Sequence, residues 1–389
     1  MLAAMALTLA DDGLIPRLLG QKPERFGRLL DDPARSCVQI LLTVPEGENL
    51  VTRGFRVDAE YVYPASTVKT FAAVAAMRTL RALAERRGSC EPDLGTPMQV
   101  WPLFDGQTLE TRDPSSADGG VLCVGREIRK LALVSDNPAH NRLYELVGHR
   151  ELHEMIWAAG LGSFRHRHRL STHRTIAENL RTARVDFLAR RGVLSVPERV
   201  SDLGLPANDQ PGLLIGDRHV IDGRPVEGPM DFALKNRVGL LDLHRLMLSL
   251  ALPDHPAHGV DLGLHADDRG FLIHAMAQTP RESENPSFDP AAYPDHFAKY
   301  LLPGAARVWP RDRVRVINKV GQALGFSLEN AVVMDRQSGK WYALTASIYT
   351  NSSGTVGADT YDYATAAFPF FVHLGEAMTA WVEGRPGPG

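Results

Sequence analysis

Residues 68–77 read Val-Lys-Thr-Phe-Ala-Ala-Val-Ala-Ala-Met, apolar or small at nearly every position, and the helical pattern continues to about Leu83. A surface helix needs a polar face, whereas a helix apolar all round must lie in the middle of the protein. The segment therefore predicts a central buried helix opening at Ser66, around which the rest of the chain has to wrap. Lys69 is the exception within it. A lysine carried into a buried helix costs free energy unless it has a partner or a task. Lysine is also scarce here, standing only at 22, 69, 130, 235, 299, 319 and 340, with arginine supplying the other basic charges.

The elements around that helix fall into an order that suggests a fold. An amphipathic helix is expected over residues 14–31, and strands over 37–44 and 50–57, the first bounded by Pro45-Glu-Gly. Helices follow near 125–134, 138–147, 150–159 and 240–252. Strands return at 313–320, 330–334 and 341–349, the last two joined by the hairpin signal Asp335-Arg-Gln-Ser-Gly339. A final helix spans about 361–382, with Phe368, Phe370 and Phe371 packed toward the sheet, and 385–389 read as a frayed tail. Two early and three late strands most simply form one five-stranded antiparallel sheet. The expectation is an α+β fold: a sheet lobe flanked by helices (31–84 and 306–384) and an inserted all-helical lobe (85–305) carrying a long loop insertion at 170–235. Residues 1–30 stand before it.

Composition narrows the partners. The chain has 389 residues with 43 basic against 46 acidic side chains and a formal charge of −3, which argues against a dedicated nucleic-acid binder. No apolar stretch is long enough to span a membrane. Residues 1–10, Met-Leu-Ala-Ala-Met-Ala-Leu-Thr-Leu-Ala, look like the back half of a secretory signal without its charged start, so a periplasmic or secreted location is expected. Cys37, Cys90 and Cys123 form no C-x-x-C pair. They read as small buried hydrophobes, with one bridge plus a free thiol left open. His149 and His153, four apart on a helix, lack a third ligand and read as a surface face. His166, His168 and His173 alternate with arginines and read as a solvated basic loop. No metal and no cofactor is called for.

Three short motifs carry chemistry. In Ser66-Thr-Val-Lys69 the two functional side chains share a helical face. A serine hydroxyl needs a base to act as a nucleophile, and a lysine amine can serve; a helix N-terminus offers N–H groups to a developing oxyanion. Ser135-Asp136-Asn137-Pro138 sits between two helices, where Ser135 can relay a proton and Asn137 can hydrogen-bond an amide or the lysine. Lys319-Val320-Gly321-Gln322 lies on a strand, where Lys319 can attract an anion and Gly321 lets a ligand backbone approach. Taken singly, each has an ordinary reading: a helix cap, a second cap before a first-turn proline, and a strand with an exposed lysine.

Taken together and in this order, the motifs resemble the S-x-x-K, S-D-N and K-T-G set of class A β-lactamases and penicillin-binding proteins. The resemblance runs from about Asp31 to Val382 and includes Gly125-Arg-Glu-Ile-Arg-Lys-Leu-Ala-Leu-Val leading into Ser135. It implies an active site between a sheet lobe and a helical lobe. It implies that Ser66 is acylated, Lys69 is its base, Ser135 shuttles protons, Asn137 binds the substrate amide and Lys319 its carboxylate. Gly321 and Gln322 lie along the substrate, with the backbone N–H groups of Ser66 and Gln322 as oxyanion hole. The partner is then a small-molecule or peptide substrate, β-lactam or peptidoglycan-like. Two departures stand out. Val320 replaces a hydroxyl residue, and the region after Ser135 lacks the family's deacylating glutamate: 164–173 has no acid, and Glu178, Asp186, Glu198, Asp202 and Glu227 are poor replacements. The reading is a serine acyl hydrolase working through a Ser66 acyl-enzyme. The alternatives are a D,D-peptidase or transpeptidase-like penicillin-binding enzyme and a catalytically idle binding module.

Overall fold

The computed structural model of the protein describes residues 7, 9–10, 12–114, 118–255, 258–358 and 360–385. The signal-like residues 1–6 and the tail from 386 lie outside these. The described chain divides into two compact units, residues 1–67, 206–260 and 299–389 in the first and 68–205 and 261–298 in the second. The division runs elsewhere than the expected lobe boundaries, since the buried helix goes with the second unit and 206–260 with the first.

The first unit is built on a six-stranded sheet ordered Leu9–Ala10, Asn49–Phe55, Gln39–Glu46, Trp341–Tyr349, Phe326–Asp335, Val314–Ala323. Five strands are antiparallel, as the alternation suggested; the two-residue Leu9–Ala10 strand adds a sixth, parallel to Asn49–Phe55. The Val314–Ala323 strand closes one edge, in register with its neighbour through Lys319 opposite Asn330 and Gly321 opposite Leu328. Asp335 makes the expected hairpin by accepting from the backbone N–H groups of Gln337 and Ser338.

Two helices fix the sheet faces. The Leu240–Ala251 helix is pinned by a buried polar chain. Asn330 donates through Nδ2 to the Leu243 carbonyl, so its Oδ1 accepts from Thr345. Thr345 Oγ1 then accepts from Nδ1 of His244, leaving Nε2 to accept from Thr43, which in turn accepts from Thr52. Only one direction satisfies every member, and burial accordingly lowers the His244 pKa to about 3. The Phe368–Glu383 helix buries Phe370 and Phe371. It crosses the short Leu302–Ala305 helix at two glycines: a Cβ on Gly304 would fall 1.8 Å from the Val372 carbonyl, and one on Gly375 2.6 Å from that of Leu301.

The second unit gathers the helices Lys69–Arg86, Val124–Leu133, Asn137–Val147, His149–Ala158 and Ala266–Ala277. Every residue from Lys69 to Met77 is buried, as the apolar run requires. The unit is not all-helical, however. Met98–Val100, Val185–Ala189 and Gly192–Val196 form a three-stranded sheet, and Arg181–Thr182 pairs with Arg199–Val200. These strands have five residues or fewer, too short for alternation to distinguish them from loop.

Candidate active site

In the first unit, a 3-10 turn over Ala65–Val68 carries Ser66. Thr67 tightens the turn by donating both its backbone N–H (3.0 Å) and its hydroxyl (2.7 Å) to the Pro64 carbonyl. Ala65 takes φ 47°, a left-handed conformation that costs a non-glycine residue about 1–2 kcal/mol. From residue 61 to 77 every position is buried except Ser66, which is half-exposed. The third motif packs on this turn. A Cβ on Gly321 would meet the Pro64 carbonyl at 2.6 Å, Thr67 Cγ2 at 3.1 Å and Ala65 Cβ at 3.3 Å. Glycine is therefore what lets the edge strand lie against the serine turn.

Lys319, two residues earlier on that strand, is buried rather than exposed. Its Nζ donates to the Val320 carbonyl at 2.9 Å. Burial pulls its pKa down to about 7, with the Glu329 carboxylate opposing and the Lys299 ammonium adding to the fall. Val320 is buried too, and Gln322 is exposed, its Nε2 3.3 Å from Ser327 Oγ.

In the second unit the turn runs directly into the Lys69–Arg86 helix. Lys69 is fully buried. Its Nζ donates to the Ser135 carbonyl (2.5 Å), Ser135 Oγ (3.2 Å) and Asn137 Oδ1 (2.6 Å). The first and second motifs thus meet at one amine, which resolves the cost of burying it. Ser135 itself takes φ 57°. Asp136 caps the next helix, its Oδ1 accepting from Ala139 N–H at 2.7 Å, and turns away from the lysine. Beneath lies a buried ion network: Lys130 pairs with Asp113, and Arg142 bonds Glu110 (2.6 Å), Glu127 (2.9 Å) and Asp113 (3.0 Å).

A strap over residues 169–172 lies along the Asn137–Val147 helix. Arg169 grips Glu145 with Nε at 2.7 Å and Nη2 at 2.9 Å. Asn141 bonds both backbone groups of Leu170 at 3.0 Å. Asn137 Nδ2 donates to Ser171 Oγ at 2.6 Å. Sequence reading missed Ser171; its signal was only its place in a basic stretch between Leu170 and Thr172.

None of the five acids weighed as a deacylating base is poised for that work. Glu178 closes a capping box with Thr175 and bonds Arg174, which hold its carboxyl below the usual range. Asp186 accepts from Trp101 Nε1 and Arg184, Glu198 from Arg181, and Asp202 from Arg150. Glu227 is exposed on a short strand of the first unit.

The histidines and cysteines depart from expectation. His149, His153 and His166 are buried, in a stack with His140, Phe164, Tyr144 and Trp157. His153 Nε2 accepts from the His166 backbone N–H, and His149 Nδ1 lies 2.7 Å from Ser201 Oγ. An i, i+4 pair is as compatible with an inner face as with an outer one. All three cysteines are free; Cys123 is buried, Cys37 intermediate and Cys90 exposed. Among the described residues no cluster of histidine, cysteine and carboxylate side chains could hold a metal, and no helix is long and apolar enough to cross a membrane.

No family model matches the chain, and no curated relative does. Solved structures do. A β-lactamase from Sphaerobacter thermophilus aligns over 98% of this chain and 100% of its own, with TM-score 0.51 and 14% identity. The TLA-3 extended-spectrum β-lactamase aligns over 96% and 99%, with TM-score 0.53 and 12% identity. A variant of PBP-A, solved as an acyl-enzyme complex with penicillin G, aligns over 95% and 98%, with TM-score 0.50 and 14% identity. The chain has the β-lactamase and PBP-A fold along nearly its whole length.

Proposed function

We propose that the protein is a serine acyl hydrolase that forms a covalent intermediate on Ser66. The observation that carries this is the buried Lys69 amine, three residues beyond the serine and hydrogen-bonded to both Ser135 and Asn137. Lys69 takes the Ser66 proton as Oγ attacks the carbonyl of a β-lactam or another amide. The backbone N–H groups of Ser66 and Gln322 receive the oxyanion. Ser135 passes a proton to the departing nitrogen, Asn137 holds the substrate's amide side chain, and Lys319 attracts its carboxylate beside Gly321. No metal or cofactor enters this scheme, and export, suggested by the N-terminal residues, fits a cell-wall or antibiotic substrate.

Acylation is the step these residues equip; hydrolysis of the ester is not. General-base assistance is worth roughly 10²–10⁴-fold, and the acids near the strap are engaged elsewhere. The acyl-enzyme is therefore long-lived, closer to a penicillin-binding enzyme than to one that clears antibiotics. Intact-mass spectrometry over time with benzylpenicillin tests both halves: an adduct should form and persist, and Ser66→Ala should abolish it. If neither benzylpenicillin nor a fluorophosphonate labels the wild type, the proposal fails. Val320, lacking the hydroxyl that would help hold a carboxylate, favours a second reading as a binding module. Ligand binding that survives Ser66→Ala without any adduct in the wild type would support it.

A further inference from the structure

The Asn137 side chain is a planar amide held at two points. Its Oδ1 accepts from Lys69 Nζ at 2.6 Å, and one Nδ2 hydrogen goes to Ser171 Oγ at 2.6 Å. Fixing both ends of a planar group fixes the direction of the remaining Nδ2 hydrogen. Either contact alone would leave the amide free to pivot about it.

The second point of support is built, not incidental. Asn137, Asn141 and Glu145 stand four residues apart, so they lie on one helical face. Each meets a successively earlier strap residue: Ser171, Leu170 and Arg169. The Arg169–Glu145 pair is almost fully buried, and Asn179 Oδ1 accepts from the Arg169 backbone N–H. The strap is thus anchored below Ser171. Ser171 then adopts φ 51°, in the left-handed region, and its hydroxyl reaches the Asn137 amide from that position.

We propose that Ser171 is a positioning residue that aims the free Asn137 N–H at the carbonyl of a substrate's amide side chain, and so selects ligands that carry an acylamino group. The inference rests on the reading of Ser66 as an acylated nucleophile. Lys69 keeps its two Ser135 contacts without Ser171, so the base is left in place. What is lost is the aim of the donor, and only a ligand that uses the donor senses the loss.

Ser171→Gly is the informative substitution, because glycine adopts the left-handed conformation without strain while removing the hydroxyl. The strap keeps its Leu170 and Arg169 anchors, so the melting temperature should be unchanged. Acylation rates are read by intact-mass spectrometry with two probes: benzylpenicillin, which carries the acylamino group, and aminopenicillanic acid, which carries a bare amine. For Ser171→Gly, the rate with benzylpenicillin should fall roughly 3- to 10-fold, the worth of one well-aimed hydrogen bond, and that with aminopenicillanic acid should hold. An equal fall with both probes, or no change with either, overturns the role of Ser171. A wild type that neither probe acylates overturns the Ser66 reading instead.

Discussion

Lys319 shows how one side chain's surroundings set its use. In an exposed strand it would be a permanent cation. Buried on the edge strand, its pKa falls to about 7, so it is an ammonium below neutrality and an amine above. If it attracts a carboxylate, capture of an anionic β-lactam should weaken as pH rises through about 7. A bound carboxylate favours the ammonium, so the second-order acylation constant should carry this limb and the saturated rate should not. A neutral ester substrate should lack it. Stopped-flow acylation across pH 5.5–9 checks this, and the same limb with both substrates would remove Lys319 from carboxylate binding. At this scale the sequence was legible where a residue was out of place in its pattern. Lys69 in an apolar helix announced itself, whereas Ser171 did not, because a serine in a polar loop violates nothing.

The strap and the Asn137–Val147 helix form a two-element device. Three helix residues at a spacing of four grip three consecutive strap residues, and the deepest grip is ionic. Removing one partner of a buried pair leaves the other charged and unpaired, which costs roughly 3–5 kcal/mol. Glu145→Ala should therefore lower stability by about that amount and lower the acylation rate with it, since Arg169 anchors the strap that reaches Asn137. Urea denaturation of wild type and variant measures the first effect; a stability change below 1 kcal/mol would show that the Arg169–Glu145 pair does not hold the strap. The helix could be drawn from sequence by its Asp136 cap, its first-turn Pro138 and its periodic apolar face. The strap could not, because no local pattern in 169–172 says which helix it will lie on. The short strands at 185–196 escaped for a related reason: their pairing is decided by partners distant in the chain.

Across the molecule, buried neutral imidazoles set a lower pH limit for the fold. Burial lowers His149 to about 4, helped by Arg150 and Arg167, and His153 to about 3, helped by His149; His166 lies lower still and His244 near 3. An imidazole whose pKa is lower folded than unfolded binds fewer protons in the folded state, so stability rises with pH between the two values. Each tenfold loss of proton affinity corresponds to about 1.4 kcal/mol. Melting temperature should hold above pH 6.5 and fall steadily from there toward pH 3. His153→Phe should flatten that slope, and an unchanged slope in the variant would show that the stack is not its source. Sequence placed these histidines on the surface, since spacing reveals that two side chains share a helical face but not which way the face turns. The sequence by itself determined the buried central helix, the five antiparallel strands and the three motifs, because periodicity and residue chemistry are local and additive. Tertiary structure alone decided that Lys69 reaches Ser135 and Asn137, that Gly321 lies on the serine turn and that Ser171 braces an amide. Each of these is a meeting of segments far apart in the chain, and side-chain pattern carries no information on that distance.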